Sequence, residues 1–515
     1  MRAPPESAEI RIGGERALTV DDIVAVARGR VPVRLDTSCD ARVRRARELI
    51  DSIAASGDPV YGVDTGFGEL SRVRIPHDEL AELQQNLLRS HAAAVGEPLP
   101  TDAVRAMMLL LSNSLAKGHS GVRPDLVERI VTLLNAEVTP VVPSRGSVGA
   151  SGDLAPLAHL ALAIIGEGPL KHDGVAFDAL SGLALAGLEP LRLASKEGLA
   201  LINGTHLMAG IGGLLVHDAE RLLEACELAA ALTLDVLLCS VAPMDDRVHA
   251  LRRRPHQRKS AARIRALVAR SELNASHADC GRVQDAYSTR CIPQVLGAAW
   301  EAFDYVSHGV AAEFDAVTDN PLCFPDDGVV LSGGNFHGQP LSLPLDTLAL
   351  LAAEVAAFSE RRTYRLLADS GGERPLPQFL TTRPGTCSGL MVLQYVAAAL
   401  VAENQVLASP AGTASLPTSA GQEDFNSLGA TAALKARDTI ENAIRVVAIE
   451  LLAAAQALDL RRPLRSGPLL ERVHATIRRL SPAVEDDRSL SGDIETVAAA
   501  IREGEFRSLH TEAGA

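Results

Sequence analysis

Gly146-Ser147-Val148-Gly149-Ala150-Ser151-Gly152-Asp153-Leu154 is the stretch on which the reading of this chain turns. In it an Ala-Ser-Gly unit stands between a glycine-rich turn and the start of an apolar helical pattern. Gly152 has no Cβ to shield its own amide nitrogen, so that nitrogen can approach the carbonyl carbon of Ala150, whose methyl hinders little. A five-membered ring results, and loss of the Ser151 hydroxyl as water leaves an exocyclic methylidene conjugated with the ring carbonyl. The product is an electrophile made from protein alone. As an isolated tetrapeptide, Gly-Ala-Ser-Gly reads first as a flexible turn or an anion-binding loop. With no Gly-Lys-Ser/Thr after it, a nucleotide phosphate loop is disfavoured.

Leu154, Leu157, Leu160, Ala161, Ile164 and Ile165 follow at helical spacing, with Asp153 as the expected N-cap and Pro156 tolerated in the first turn. The electrophile therefore precedes a helix N-terminus. The positive end of that helix suits negative charge building on the ring when a nucleophile adds.

Further blocks lie on either side: Tyr61-Gly62-Val63-Asp64-Thr65-Gly66-Phe67-Gly68, Ser90-His91, Asn203-Gly204-Thr205, Gln284-Asp285-Ala286-Tyr287-Ser288-Thr289-Arg290, Gly333-Gly334-Asn335-Phe336-His337-Gly338 and Gln422-Glu423-Asp424. In this order, and with the Ala-Ser-Gly block among them, the chain resembles the aromatic amino acid ammonia-lyases and aminomutases from about Asp21 to about Leu480. Within that family it is most similar to members acting on histidine. The resemblance implies a mainly α fold: a long central helix bundle with a smaller mixed N-terminal region carrying the electrophile. It implies a 4-methylidene-imidazol-5-one formed autocatalytically from Ala150, Ser151 and Gly152, no external cofactor, and a homotetramer whose active sites are completed by three subunits.

The same resemblance distributes roles. Tyr61 matches the base that removes a β-proton. A phenol with an ordinary pKa near 10 needs a positive field or hydrogen bonds to act as phenolate, and closure of its turn-rich loop is expected to supply them. Arg290 matches the carboxylate fork. Tyr287 stands near the amino group and the electrophile, with Gln284 and Asn203 completing a polar ring. Gln284, Tyr287 and Arg290 are spaced three apart, which on a helix is one stripe. Phe336 matches an aromatic wall, and His337 a supporting or merely structural position. His91 and Glu423 match the residues that meet an imidazole, a ring with one donor and one acceptor nitrogen. A phenyl group would leave both unpaired, at about 1–3 kcal/mol each if buried.

The expected reaction is therefore loss of ammonia from L-histidine to give trans-urocanate. Two features keep a second reading open, a tyrosine or phenylalanine ammonia-lyase or 2,3-aminomutase. Phe425-Asn426-Ser427-Leu428 is closer to the tyrosine and phenylalanine lyases, and a Ser-His pair like Ser90-His91 also occurs in some tyrosine enzymes. His206 stands where Gln is usual, and Glu69 is a further position bearing on the outcome. A third reading, a silent helical scaffold, has the full set of Tyr61, Ala150-Ser151-Gly152, Tyr287 and Arg290 against it.

Composition agrees with the helical expectation. The 515 residues are 47% apolar and only 3% aromatic, rich in Ala and Leu, which suits helix-on-helix packing. Long helical patterns cover 205–240, 285–314, 342–367, 388–408 and 430–458, after shorter ones at 40–53, 80–94, 102–117 and 124–136. The reading divides the chain into 1–200, with the Tyr61 loop and the electrophile, 201–480, the bundle with substrate-binding residues, and 481–515, a C-terminal cap or tail. A net charge of −14 argues against nucleic acid, and Arg252 to Lys259 reads as a solvated loop between helices. The apolar stretch 384–402 reads as a buried core helix rather than a membrane span. The seven cysteines, Cys39, Cys226, Cys239, Cys280, Cys291, Cys323 and Cys387, lack CxxC spacing. With no secretion-type N-terminus, reduced thiols in cytoplasm are expected. No metal-ligand spacing is present.

Overall fold

The computed structural model describes residues 9–56, 60–66, 68, 73–278, 281–368 and 375–514. Phe67, Glu69 and Cys280, weighed above, lie outside them. The described residues form twenty α-helices and nine short strands. The longest helices are His206–Val236, Ile292–Ala311, Gln339–Leu367 and Gly429–Leu460. The last has 32 residues, about 48 Å at 1.5 Å per residue. Apolar side chains recurring every three to four residues give each a stripe to bury.

The chain groups into two compact units, 1–217 with 307–346 and 410–434, and 218–306 with 347–409 and 435–515. In the first unit, Thr19 opens helix Val20–Ala27 with a capping box closed by Asp22. Helix Thr101–Ala116 is buried from Ala103 onward. Gly210 lets helix His206–Val236 approach it, since a Cβ there would stand 3.0 Å from the Met107 nitrogen. The strands are edge pieces: Thr139–Pro140 pairs antiparallel with Leu170–His172, which pairs with Val175–Phe177.

The regular elements among the second unit's described residues are all helices. At its centre Glu450 accepts from Thr233 Oγ1 (2.8 Å), Ser359 Oγ (2.6 Å) and Arg362 Nε (2.6 Å) and Nη2 (2.7 Å). The C-terminal helices Ser491–Arg502 and Arg507–Gly514 bury Val497 and Leu509, with Phe506 buried in the turn between them, and His510 Nε2 donates to Glu227 at 2.7 Å.

Four local expectations are corrected. Asp153 occupies the N-cap position of helix Leu154–Ile164, but its side chain does not cap it. Its Oδ2 instead accepts from the Leu207 and Met208 amides at 3.0 and 3.1 Å, closing the start of helix His206–Val236. Gln284 lies outside any helix, because helix begins only at Tyr287, stops at Arg290 and restarts at Ile292 with Pro293 in its first turn. Helix Met391–Leu407 is not a core helix. It buries Leu393, Ala397 and Asn404 and leaves Val392, Tyr395, Val396 and Val406 exposed.

The basic run, expected as a loop, is mostly helix: only Arg253 and Arg254 lie between helices Asp246–Arg252 and Pro255–Leu267, where Arg254 pairs with Glu301 (2.8 Å) and Arg258 with Asp246 (2.7 Å). Other expectations stand on firmer ground. The six described cysteines are free thiols. Gln339–Leu367 alone among the described helices is long and apolar enough to cross a membrane, and 61% of its most apolar window is buried within the protein.

Candidate active site

Ala150, Ser151 and Gly152 form a tight turn braced from three sides. Ser151 has φ +51° and Gly152 φ +80°, left-handed conformations that favour glycine at the second position. The Gly204 amide donates to Ser151 O (3.1 Å), and Gly204 O accepts from the Asp153 amide (2.8 Å). A Cβ on Gly152 would stand 2.0 Å from Gly204 O, so no other residue fits there. Ser147 Oγ lies 3.3 Å from Gly152 O, and the Leu428 amide donates to Val148 O at 3.0 Å. Through the Gly152–Gly204 bridge, two helix starts, Leu154 and His206, flank the turn. Burial pushes the Asp153 carboxyl up to about 7, against the pull of the Met208 and Leu207 amides and Ser147.

Two adjoining cavities open on Ser151, and both are lined by first-unit residues alone among those described. One, about 760 Å³, has Tyr61, His91, Ser151, Asn203 and Glu423 in its wall. The other, about 640 Å³, shares Tyr61, Ser151 and Glu423 and adds Phe336, His337 and Phe425. The Tyr61 hydroxyl accepts weakly from the Gly68 amide (3.4 Å). Burial pushes its phenol above the ordinary value, Gly68 opposes this, and the Glu423 carboxylate adds to it. The fields on Tyr61 within this unit therefore favour the phenol, and the positive field expected for a phenolate is not supplied by these residues.

Asn203 is 2% exposed. Its Nδ2 donates to Asp319 Oδ1 (3.2 Å) and Asn320 O (3.0 Å), while its buried Oδ1 has no donor. Asp319 is itself held by Lys196 at 2.6 Å. His91 Nδ1 lies 2.9 Å from Leu87 O. A carbonyl only accepts, so the proton sits on Nδ1 and a neutral ring presents Nε2 as an acceptor. Burial lowers the His91 pKa, with Leu87 and Glu423 opposing, which keeps that ring neutral. Glu423 Oε2 accepts from Thr418 Oγ1 at 2.7 Å. His337 donates from Nε2 to Phe425 O (3.1 Å), accepts at Nδ1 from the Gln339 amide (3.3 Å) and stacks on the Phe425 ring at 6.0 Å.

The remaining expected residues belong to the second unit. Arg290 lies over the Tyr287 ring at 4.5 Å, and its buried Nε has no acceptor. Tyr287 is 70% exposed, and Gln284 is exposed. The sequence reading did not anticipate Asp153 as a clasp on helix His206–Val236, the Lys196–Asp319 pair behind Asn203, or Thr418 behind Glu423. For Asp319 the Asp-Asn-Pro turn was the available signal. The Asp153 clasp joins residues 54 and 55 apart and leaves no local trace, whereas Thr418 stands only five residues before Glu423. Among the described residues no group of His, Cys, Asp or Glu is placed to hold a metal.

A helical fold with a left-handed Ala-Ser-Gly turn at the wall of two cavities that also hold Tyr61 and Glu423 suits a carbon-nitrogen lyase of the aromatic amino acid type. Residues 18–479 match the family described as aromatic amino acid lyase, and the chain belongs to it. It is 51% identical over 488 residues to histidine ammonia-lyase of Gloeobacter violaceus, covering 95% of each chain. Among solved structures it is similar to histidine ammonia-lyase from Trypanosoma cruzi, with 39% identity, a TM-score of 0.90, and coverage of 98% of this chain and 96% of the other. Tyrosine aminomutase from Streptomyces globisporus gives 37% identity, a TM-score of 0.90, and coverage of 98% and 99%.

Proposed function

We propose that this enzyme eliminates ammonia from L-histidine to give trans-urocanate and that Ala150, Ser151 and Gly152 cyclise to the methylidene-imidazolone that serves the reaction. The observation that carries the reading is one cavity wall holding Ser151, Tyr61, Asn203, His91 and Glu423. The left-handed turn and the 2.0 Å approach at Gly152 fit a ring closed through an unhindered amide. When formed, the group supplies an electrophile that turns the substrate amine into a better leaving group.

The chain's own residues supply the rest. Tyr61 takes the β-proton as the Cα–N bond breaks and the Cα–Cβ double bond forms. The Asn203 Oδ1, buried without a donor within the chain, accepts from the substrate ammonium. His91 Nε2 and Glu423 are both acceptors facing the same cavity. A ring with two N–H donors satisfies both, so the substrate imidazole binds protonated, and a phenyl ring satisfies neither.

Arg290 and Tyr287 act on the carboxylate and amino group, with Gln284 beside them, and Phe336 walls the ring. We assign Gln284, Tyr287 and Arg290, all of the second unit, to a site completed by neighbouring copies in a homotetramer. The exposed apolar face of Val392, Tyr395, Val396 and Val406 suits burial against another copy. Such a neighbour also supplies the positive field that Tyr61 lacks within its own unit. Free thiols suit a reducing compartment, and we place the enzyme in the cytoplasm.

The second reading, a tyrosine or phenylalanine lyase or 2,3-aminomutase, draws on Phe425, an aromatic ring in the cavity wall. Product analysis on L-histidine, L-tyrosine and L-phenylalanine, with Ser151→Ala as control, tests the choice. Urocanate from the wild type alone supports the proposal. Coumarate, cinnamate or a β-amino acid without urocanate overturns the histidine assignment.

A further inference from the structure

Another cavity of the first unit, about 400 Å³, shares no wall residue with those at Ser151. Its wall includes Arg30, Thr101, Arg105, Glu137, Lys171 and Asp173. Arg105 is 3% exposed. Its Nε and Nη2 donate to Val26 O (3.2 and 2.8 Å) and its Nη1 to Leu134 O (2.9 Å). These carbonyls lie at the ends of helices Val20–Ala27 and Pro124–Asn135, so Arg105 ties two helix termini together. That tie uses three of the five guanidinium N–H bonds. The other two, one on each terminal nitrogen, meet no acceptor among the described residues.

Three observations point the same way. Lys171 is half-buried, and its ammonium makes no hydrogen bond or ion pair with a described residue. Helix Thr101–Ala116 has Pro100 at its N-cap, which offers no capping side chain, so its positive end opens beside Thr101. Asp102 in that first turn is engaged by the Ala103 amide (2.9 Å) and by Arg28 (3.0 Å). The two carboxylates in the wall, Glu137 and Asp173, both pair with Arg30, and Asp173 also lies 3.6 Å from His172; Glu137 acts on Arg105 only at longer range, without an ion pair, and Lys171 pairs with neither. Arg30, Glu137 and Asp173 sit at φ +56°, +57° and +46°, left-handed positions where the backbone is held by its turns. Burial lowers the Arg105 pKa, with Glu137 opposing and Arg30 adding to the effect.

We propose that this cavity binds a small tetrahedral oxyanion, inorganic phosphate or the head of a phosphomonoester, held by Arg105, Lys171 and the first amides of helix Thr101–Ala116. Donors converge from a guanidinium, an ammonium and a helix terminus, which suits several acceptor oxygens better than the two of a planar carboxylate. The volume also leaves room for a small ester beyond the phosphate.

Isothermal titration of the full-length protein with inorganic phosphate and, separately, glycerol phosphate at constant ionic strength tests this. Saturable binding of either probe to the wild type is expected, weakened at least tenfold in Lys171→Glu and regained in Lys171→Arg. Turnover without phosphate stays unchanged in these variants. Tighter binding of inorganic phosphate assigns the free ion, and tighter binding of glycerol phosphate an esterified ligand. Should Lys171→Glu misfold by circular dichroism, Lys171→Met takes its place. No saturable heat with either probe, or undiminished affinity after loss of the ammonium, overturns the proposal.

Discussion

Asn203 in the first unit and Glu450 in the second are both buried polar side chains, 2% and 0% exposed, but their surroundings treat them differently. Glu450 receives four hydrogen bonds, from Thr233, Ser359 and twice from Arg362. Asn203, which lines a cavity, spends both amide protons on Asp319 and Asn320 and leaves its buried carbonyl oxygen without a donor. The first arrangement is a scaffold, in which removal of one partner strands a charge. The second keeps a desolvated acceptor available, which raises the strength of any donor brought to it. A substitution at a closed site should therefore be read in stability, and one at an open site in turnover.

The strongest test of that division is Ser151→Ala. Activity should fall on the order of a thousandfold or more, with the unfolding midpoint nearly unchanged. Intact mass should lose the two-water deficit of the wild type. A variant that keeps both turnover and the deficit would remove Ser151 from the chemistry.

Glu450→Ala is the counterpart in the second unit. It leaves Arg362 buried without its carboxylate and should cost about 3–5 kcal/mol in chemical denaturation, with normal turnover per folded molecule. If catalysis instead fails at full stability, the closed network is not a scaffold.

Glu423→Ala should lower kcat/KM for histidine about 10- to 100-fold, the cost of an unpaired donor on a bound ring. It should leave stability within about 1 kcal/mol, because the side chain is only half-buried. Equal losses on histidine and phenylalanine would disconnect Glu423 from the imidazole.

The smallest effect belongs to Asp153. Its folded value of about 7 lies above the ordinary 3.8, so the bound proton favours the folded state. That contribution is complete below pH 3.8 and is lost as pH rises through about 7. Asp153→Asn, which keeps an acceptor for the Leu207 and Met208 amides, should flatten stability across this window relative to wild type. An unchanged slope in pH-dependent denaturation would show that Asp153 is ionised throughout.

Much of the helical framework was legible in advance. The pattern at 205–240 became His206–Val236, that at 342–367 became Gln339–Leu367, and that at 430–458 became Gly429–Leu460. A run of 25 or more residues repeats its apolar stripe often enough to outweigh local noise. The site was only partly legible. Its residue types came from matched blocks, but those blocks say nothing of what holds each side chain. Met391–Leu407 shows the limit from another direction: its composition resembles a core helix, yet the residues around it leave one face uncovered.

What the amino-acid order settled on its own is local: the helix periods, the Thr19 cap, and a turn at Gly149–Gly152 that only glycine can complete. Each depends on backbone geometry within a few residues. The tertiary structure decided where Asp153 spends its carboxylate, that Asn203 keeps a buried oxygen without a donor, and that Glu423 faces His91 across a common cavity. It also set the charges around Arg105. These outcomes depend on which polar groups lose water and find partners, and partners separated by tens or hundreds of residues meet only when the chain packs.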